Sequence, residues 1–207
     1  MQEPWIERWQ EGRIGWHKAE ANASLKKFWR VTDRDVLVPL CGKSVDLKWL
    51  ADQGNRVVGV ELSEIAIRAF FDEQGLEYTV IEGELPIFQA TDAAIAIYRG
   101  DYFDLHHVRC NAHYDRGALI ALPAEVRTAY AAHTNSLLTA DVEQLVITLD
   151  YDDAVAVGPP FSVSDEEVCS YWPGLVCVDQ RDDIDDAPPK FIKAGLTSML
   201  EKAWRLP

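Results

Sequence analysis

Basic residues are scarce in this chain: 20 Lys and Arg stand against 34 Asp and Glu, a formal net charge of −14. Affinity for phosphate backbones comes chiefly from cations, so this balance argues against a nucleic-acid partner and for a small substrate. Cysteine is scarce as well. Cys41, Cys110, Cys169 and Cys177 show no framework spacing, as expected of reduced thiols in a cytoplasmic protein rather than of a disulfide scaffold. No apolar run approaches the ~18–20 residues needed to span a bilayer. The start, Met1-Gln2-Glu3-Pro4, has neither the basic stretch nor the apolar core of a signal peptide, so a cytoplasmic location and no membrane partner are expected. Repeats and low-complexity linkers are absent too, and 207 residues with 48% hydrophobic content fit a single domain over residues 1–207 with one three-layer core.

Two nucleotide-binding signatures are also missing, and their absence shapes the reading of residues 36–63. Val36, Leu37 and Val38 form a short β-type run that Pro39-Leu40-Cys41-Gly42 breaks. Ser44 can cap a helix ending at Gly54, and Arg56 to Val60 rebuilds a strand. A phosphate-binding loop needs a glycine five positions before Gly42, where Leu37 stands, and the GxGxxG fingerprint is reduced to Gly42 alone. Yet Glu61 follows Gly42 by 19 positions, near the ~20-residue spacing at which a carboxylate accepts ribose hydroxyls in a βαβ unit. A nucleoside cofactor without phosphates in that loop fits best, and S-adenosylmethionine is the commonest one on such a sheet.

Farther along, helical and strand patterns alternate, which is the α/β signature. Ser63 caps a helix running to Gly75. Residues 77–81, 87–89 and 93–98 read as short strands including a hairpin, residues 100–104 as a loop, and residues 112–115 as a fourth parallel strand. Pro123 suits the first position of a helix past Tyr130 and His133, and residues 144–150 give a fifth strand. Ser164 with Glu167 reads as a capping box, stapled by Val163 on Val168. Residues 175–179 and 196–206 supply the last strands.

Several motifs in fixed order then carry a resemblance. Trp5 and Trp9 with Gly15-Trp16-His17, PLCGKSVDLKWL at 39–50, GVELSEIAI at 59–67 and YDRGALIALP at 114–123 are followed by ITLDY at 147–151, PPFSV at 159–163 and the closing LEKAWRL. Over essentially its whole length the chain resembles the thiopurine S-methyltransferases, a class I S-adenosylmethionine-dependent methyltransferase family. The resemblance implies a three-layer Rossmann-like sheet, mostly parallel with an antiparallel C-terminal strand, and an N-terminal helical lid over residues 1–30. Ligands of such open sheets bind at the carboxyl ends of the strands, here the loops after the first, second and fourth.

Site roles follow from the resemblance residue by residue. Leu40 matches the position that touches the cofactor through its backbone, Glu61 the ribose ligand, and Asp101 and Tyr102 the adenine-side segment. Trp9 matches a cofactor-contacting tryptophan of the lid, where an aromatic face over a sulfonium gains ~0.5–2 kcal/mol. Trp16 stands where many members carry phenylalanine; for Trp5, plain packing is the simpler account. Arg116 matches an arginine close to cofactor and acceptor; a buried pair with Asp115 is the bland alternative, weakened because adjacent strand residues face opposite sides. Arg181 matches a second acceptor-side arginine more weakly, and a loop arginine balancing nearby aspartates explains it as well.

The implied chemistry is in-line attack of sulfur or selenium on the cofactor methyl group, releasing S-adenosylhomocysteine. A heteroaromatic thiol is substantially ionised near neutral pH, so no strong general base is required and positioning supplies the rate. The expected acceptor is a small thiol or a selenium or tellurium compound, and family analogy favours a monomer. His106, Cys110 and His113 carry zinc-ligand chemistry, but this methyl transfer needs no metal and none is assigned. Cys41 reads as a packing residue, and the aspartates at 182, 183, 185 and 186 as a solvated loop. Two other classes stay open: a catalytically silent S-adenosylmethionine-binding module, and a nicotinamide oxidoreductase that the missing glycines disfavour.

Overall fold

The computed structural model describes residues 3–15 and 17–207, which fall into two compact units, 1–112 and 113–207. Trp16, one of the expected cofactor-side residues, lies outside the described residues.

In the first unit, α1 (Glu3–Gln10) and α2 (Ala23–Phe28) precede the alternating part. β1 (Asp35–Val38) and β2 (Arg56–Glu61) are joined by α3 (Asp46–Asp52), and α4 (Glu64–Gln74) leads to β3 (Tyr78–Ile81), β4 (Ile87–Ala90) and β5 (Ile95–Arg99). The order is β3-β4-β5-β2-β1. β1 pairs parallel with β2 and β2 with β5, while β3, β4 and β5 form an antiparallel meander that contains the expected hairpin. The parallel strands have near-continuous apolar runs because both faces are covered: Val36, Leu37, Val57, Ile95 and Ile97 are all buried. α4 buries Ile67, Phe70 and Phe71, takes Ser63 as its N-cap, and stops at Gly75, which adopts φ +63°. The carboxyl ends of β1, β2 and β5 point the same way, so the loops after them converge.

β6 (Cys110–Arg116) carries the chain into the second unit. There α5 (Ala124–Leu137), β7 (Leu138–Asp150), α6 (Asp165–Tyr171), β8 (Val176–Asp182), α7 (Pro189–Ala194) and β9 (Leu200–Arg205) follow, in strand order β6-β7-β9-β8. β9 runs antiparallel to both β7 and β8, as expected for the C-terminal strands.

Several boundaries differ from the sequence reading. β7 begins at Leu138 rather than 144, because α5 passes into it without a loop and its first half is too polar and exposed to signal a strand. β8 extends to Asp182, so Arg181 stands on a strand and not in a loop. The 196–206 segment is a strand only over Leu200–Arg205, and the preceding Pro188-Pro189 and Gly195 bracket the short helix α7. The capping box is half realised: Ser164 accepts from the Glu167 amide at 3.2 Å, but the Glu167 carboxylate accepts from Arg127 (2.8 Å) and Tyr171 (2.6 Å).

Cys110 and His113 are both buried within β6, which begins two residues earlier than the expected strand. Three residues apart on a strand, they face opposite sides and cannot share a metal with His106. Among the described residues no group of His, Cys, Asp and Glu is arranged to hold a metal ion, and no helix is long and apolar enough to cross a membrane.

Candidate cofactor site and the two arginines

Glu61 ends β2 and is buried. The Gly42 amide donates to its Oε2 at 2.9 Å and the Ser63 amide to its Oε1 at 2.7 Å. Burial holds the carboxyl pKa above its ordinary value, an effect that these amide hydrogen bonds oppose in part. An ionised carboxylate offers about four lone-pair sites, so the amides leave acceptor capacity for a neighbouring hydroxyl pair.

The turn after β1 is shaped around that carboxylate. Leu40 has φ +47° and Gly42 φ +55°. The left-handed region costs a non-glycine residue ~1–2 kcal/mol, and such strain concentrates where backbone meets a ligand. The Cys41 amide, between them, donates to the Val60 carbonyl at 2.9 Å, which ties the turn to β2. Cys41 is buried with its thiol pKa pushed well up by burial, and a Cβ at Gly59 would lie 2.9 Å from its Sγ. It is a packing residue that requires glycine opposite.

Trp9 is buried, and its ring carbon Cζ2 sits 3.3 Å from where a Gly42 Cβ would stand. α1 therefore covers this turn directly. Trp5, by contrast, is half-buried beneath Arg8, whose Cζ lies 4.7 Å from the ring centroid. Glu73, at the end of α4, joins the covering segment to the turn: Lys43 Nζ is 2.6 Å from one of its oxygens and His17 Nε2 3.9 Å from the other.

The loop after β5 meets the same carboxylate-bearing residue. The Gly100 amide donates to the Glu61 carbonyl at 3.0 Å. Asp101 then accepts from the Phe103 amide at 2.9 Å and starts the 3-10 turn Tyr102–Asp104, in which Tyr102 is buried. Leu40, Glu61, Asp101 and Tyr102 thus lie at the carboxyl ends of β1, β2 and β5, and Trp9 of α1 covers the first of these turns. Sequence reasoning missed Ser63 as a second amide donor to Glu61 and the covering contact of Trp9 on Gly42. Glycine at 42 was the only available signal for the latter.

Among the second unit's candidates, Arg116 is half-buried at the end of β6. Asp115 is not its partner, since that carboxylate accepts from the Ala118 and Leu119 amides and the Tyr130 hydroxyl. Arg181 faces Glu201 across the β8–β9 register and pairs with it at 2.9 Å, with Asp183 at 3.7 Å. That arrangement gives Arg181 a sheet-edge ion pair.

A buried carboxylate with spare acceptor capacity, beside a strained turn roofed by an indole, suits a ribose diol and an adjacent apolar base. The family model described as thiopurine S-methyltransferase matches residues 1–207. Thiopurine S-methyltransferases of Bordetella petrii and of Pseudomonas putida strain F1 are 45% and 42% identical, each over 98% of this chain and over 96% and 97% of their own lengths. Solved structures share the fold at low identity. A Synechocystis magnesium protoporphyrin IX methyltransferase with bound S-adenosylhomocysteine superposes at TM-score 0.64, with 13% identity and 100% of both chains covered. The Burkholderia thailandensis 1,6-didemethyltoxoflavin-N1-methyltransferase, also with S-adenosylhomocysteine, does so at 0.63, with 18% identity over 99% of this chain and 86% of its own. The fold is that of the class I methyltransferases, and the chain belongs to the thiopurine S-methyltransferase family.

Proposed function

We propose that this chain methylates the sulfur of small heteroaromatic thiols such as thiopurines from S-adenosylmethionine, with selenium and tellurium compounds as further candidate acceptors. The observation that carries the cofactor assignment is the Glu61 cradle. Its two oxygens are held by the Gly42 and Ser63 amides, so the carboxylate is oriented before any ligand arrives. The donor set suits an adenosine whose ribose hydroxyls donate to Glu61, and it offers no glycine-rich bed for a pyrophosphate.

When bound, S-adenosylmethionine supplies a sulfonium methyl carbon, and in-line attack by a thiolate leaves S-adenosylhomocysteine. The protein's part is placement and exclusion of water. Glu61 fixes the ribose, the strained Leu40 turn presents backbone, and Asp101 and Tyr102 border the base. Trp9 keeps water from the turn and offers an aromatic face to a cation. Arg116 is assigned to the acceptor, where a guanidinium favours the ionised thiol. Such positioning can lower a barrier by ~7–11 kcal/mol without a general base. Arg181, committed to Glu201, supports the sheet edge and is the weaker acceptor-side candidate.

The test is product identification. Incubation with S-adenosylmethionine and 6-mercaptopurine, an aromatic thiol or selenite, followed by mass spectrometry, is expected to show the methyl group on sulfur for both thiols. Methylation at a ring nitrogen, or tight binding of S-adenosylhomocysteine without any product, would reject the S-methyltransferase reading.

A further inference from the structure

We infer that Asp115 and Tyr130 are positioning residues for Arg116, and through it for binding of the thiol acceptor. The inference rests on the proposed assignment of Arg116 to the acceptor.

Asp115 is fully buried next to Arg116. Its Oδ1 accepts from the amides of Ala118 and Leu119, both at 3.2 Å, and its Oδ2 accepts from the Tyr130 hydroxyl at 2.7 Å. The carboxylate therefore fixes the chain three and four residues ahead of itself, and Arg116 is the first residue inside that closed turn. Gly117 follows with φ +98°, yet a Cβ there would meet nothing within 4 Å. Conformation, rather than lack of space, is what calls for glycine, because this turn must reverse direction directly after Arg116. With Asp115 anchored on one side and Gly117 to Leu119 on the other, the direction of the Arg116 Cα–Cβ bond is set from both ends. Strand alternation sends Arg116 to the face opposite Asp115.

Tyr130 extends the anchor to α5. Its ring is fully buried with Ala131, Thr134 and Leu137 of the same helix, so the hydroxyl that meets Asp115 is held on a rigid support. A neutral residue would satisfy the two amides at lower cost, since burial pushes the Asp115 pKa up to about 6. A costly buried charge beside a candidate functional cation, fully hydrogen-bonded and pinned to a helix, is the pattern of a group that orients its neighbour.

The experiment compares Tyr130→Phe, Arg116→Ala and the double variant, measuring kcat and KM for 6-mercaptopurine, affinity for S-adenosylhomocysteine by calorimetry, and melting temperature. Tyr130→Phe keeps the buried ring and removes the hydroxyl that donates to Asp115. It is expected to lower kcat/KM for the thiol about fivefold, the scale of one buried hydrogen bond, mostly through KM and with product affinity unchanged. In the Arg116→Ala background it is expected to cost nothing further. Equal losses in both backgrounds, or no loss from Tyr130→Phe although Arg116→Ala is impaired, would overturn the positioning role while leaving the Arg116 assignment intact. Full activity of Arg116→Ala would instead show that the Arg116 assignment itself had failed, and the positioning role with it. Asp115→Asn, which keeps an oxygen for the two amides, provides the same comparison if Tyr130→Phe lowers the melting temperature severely.

Discussion

The amide of Gly42 donates to Oε2 of Glu61 at 2.9 Å. The turn that leaves the first strand is thereby locked to the residue that ends the second. Glu61 therefore holds the turn in shape, and any ligand role proposed for it is coupled to that structural one.

Glu61→Gln exposes that coupling. Whichever way the amide is turned, its NH2 group faces a backbone donor, Gly42 on one side or Ser63 on the other. Hydrogen bonds to a charged acceptor contribute ~1.5–3 kcal/mol, so the dissociation constant for S-adenosylhomocysteine should rise at least about tenfold. Calorimetric titration measures this directly; an unchanged constant would remove Glu61 from the binding site.

Gly59→Ala tests the packing behind the turn. The added Cβ would lie 2.9 Å from Cys41 Sγ and 3.3 Å from Leu47 Cδ2, both in the buried core. Overpacking of this kind costs ~1–3 kcal/mol, read from urea denaturation. Adding Cys41→Ala removes the nearest obstacle and should return part of the loss. Simple additivity of the two substitutions would show that Cys41 is not what excludes a side chain at position 59.

His113 should make the protein acid-sensitive. Burial pushes its pKa down to about 3 from the ordinary 6.5, with Gln144 3.3 Å from Nδ1 and the Trp172 ring packed at 5.5 Å. Between those values the unfolded chain binds the proton and the folded protein does not. The contribution is therefore complete above 6.5 and is lost as pH falls toward 3, by at most on the order of 5 kcal/mol. Asp115 acts in the opposite sense, because its raised pKa makes stability fall as pH rises from 3.8 to about 6. Since Asp115 is common to both proteins, a His113→Leu difference curve isolates the histidine. Denaturation midpoints of His113→Leu should fall less between pH 6.5 and 4 than those of the parent, and parallel curves would contradict this.

Glu73 links Lys43 in the turn to His17 in the covering segment. Partly exposed ion pairs contribute up to ~1 kcal/mol, so Glu73→Gln should weaken S-adenosylhomocysteine binding by about two- to fivefold. The difference should shrink at high salt, where such pairs are screened. A salt-independent or absent effect would assign closure of the segment to Trp9 packing alone.

Much of this arrangement was legible in the sequence because each level agreed with the next. The VLV run, the turn residues and the spacing from Gly42 to Glu61 all specify one βαβ unit, and the structure forms it, although the N-cap position of α3 is Val45 rather than the expected Ser44, whose hydroxyl accepts from the Asp46 amide. The failures have local causes. The polar first half of β7 is too exposed to show alternation, and Arg181 reads as a loop residue because aspartates crowd it in sequence while its real partner, Glu201, comes from the neighbouring strand. The left-handed Leu40 contradicts its own propensity, since nothing in a leucine announces φ +47°. For Asp115, strand alternation argues against a pair with Arg116 but names no other partner. Only the fold shows it turned toward Tyr130 and the two amides ahead of it.

The most direct test of the central claim is transfer of labelled methyl from S-adenosylmethionine to 6-mercaptopurine by the parent, Glu61→Ala and Arg116→Ala proteins under identical conditions. Turnover by the parent that falls sharply in both variants is the predicted result, with Glu61→Ala also losing product affinity and Arg116→Ala retaining it. Tight binding of S-adenosylhomocysteine by the parent with no methyl transfer to the thiol would contradict the account.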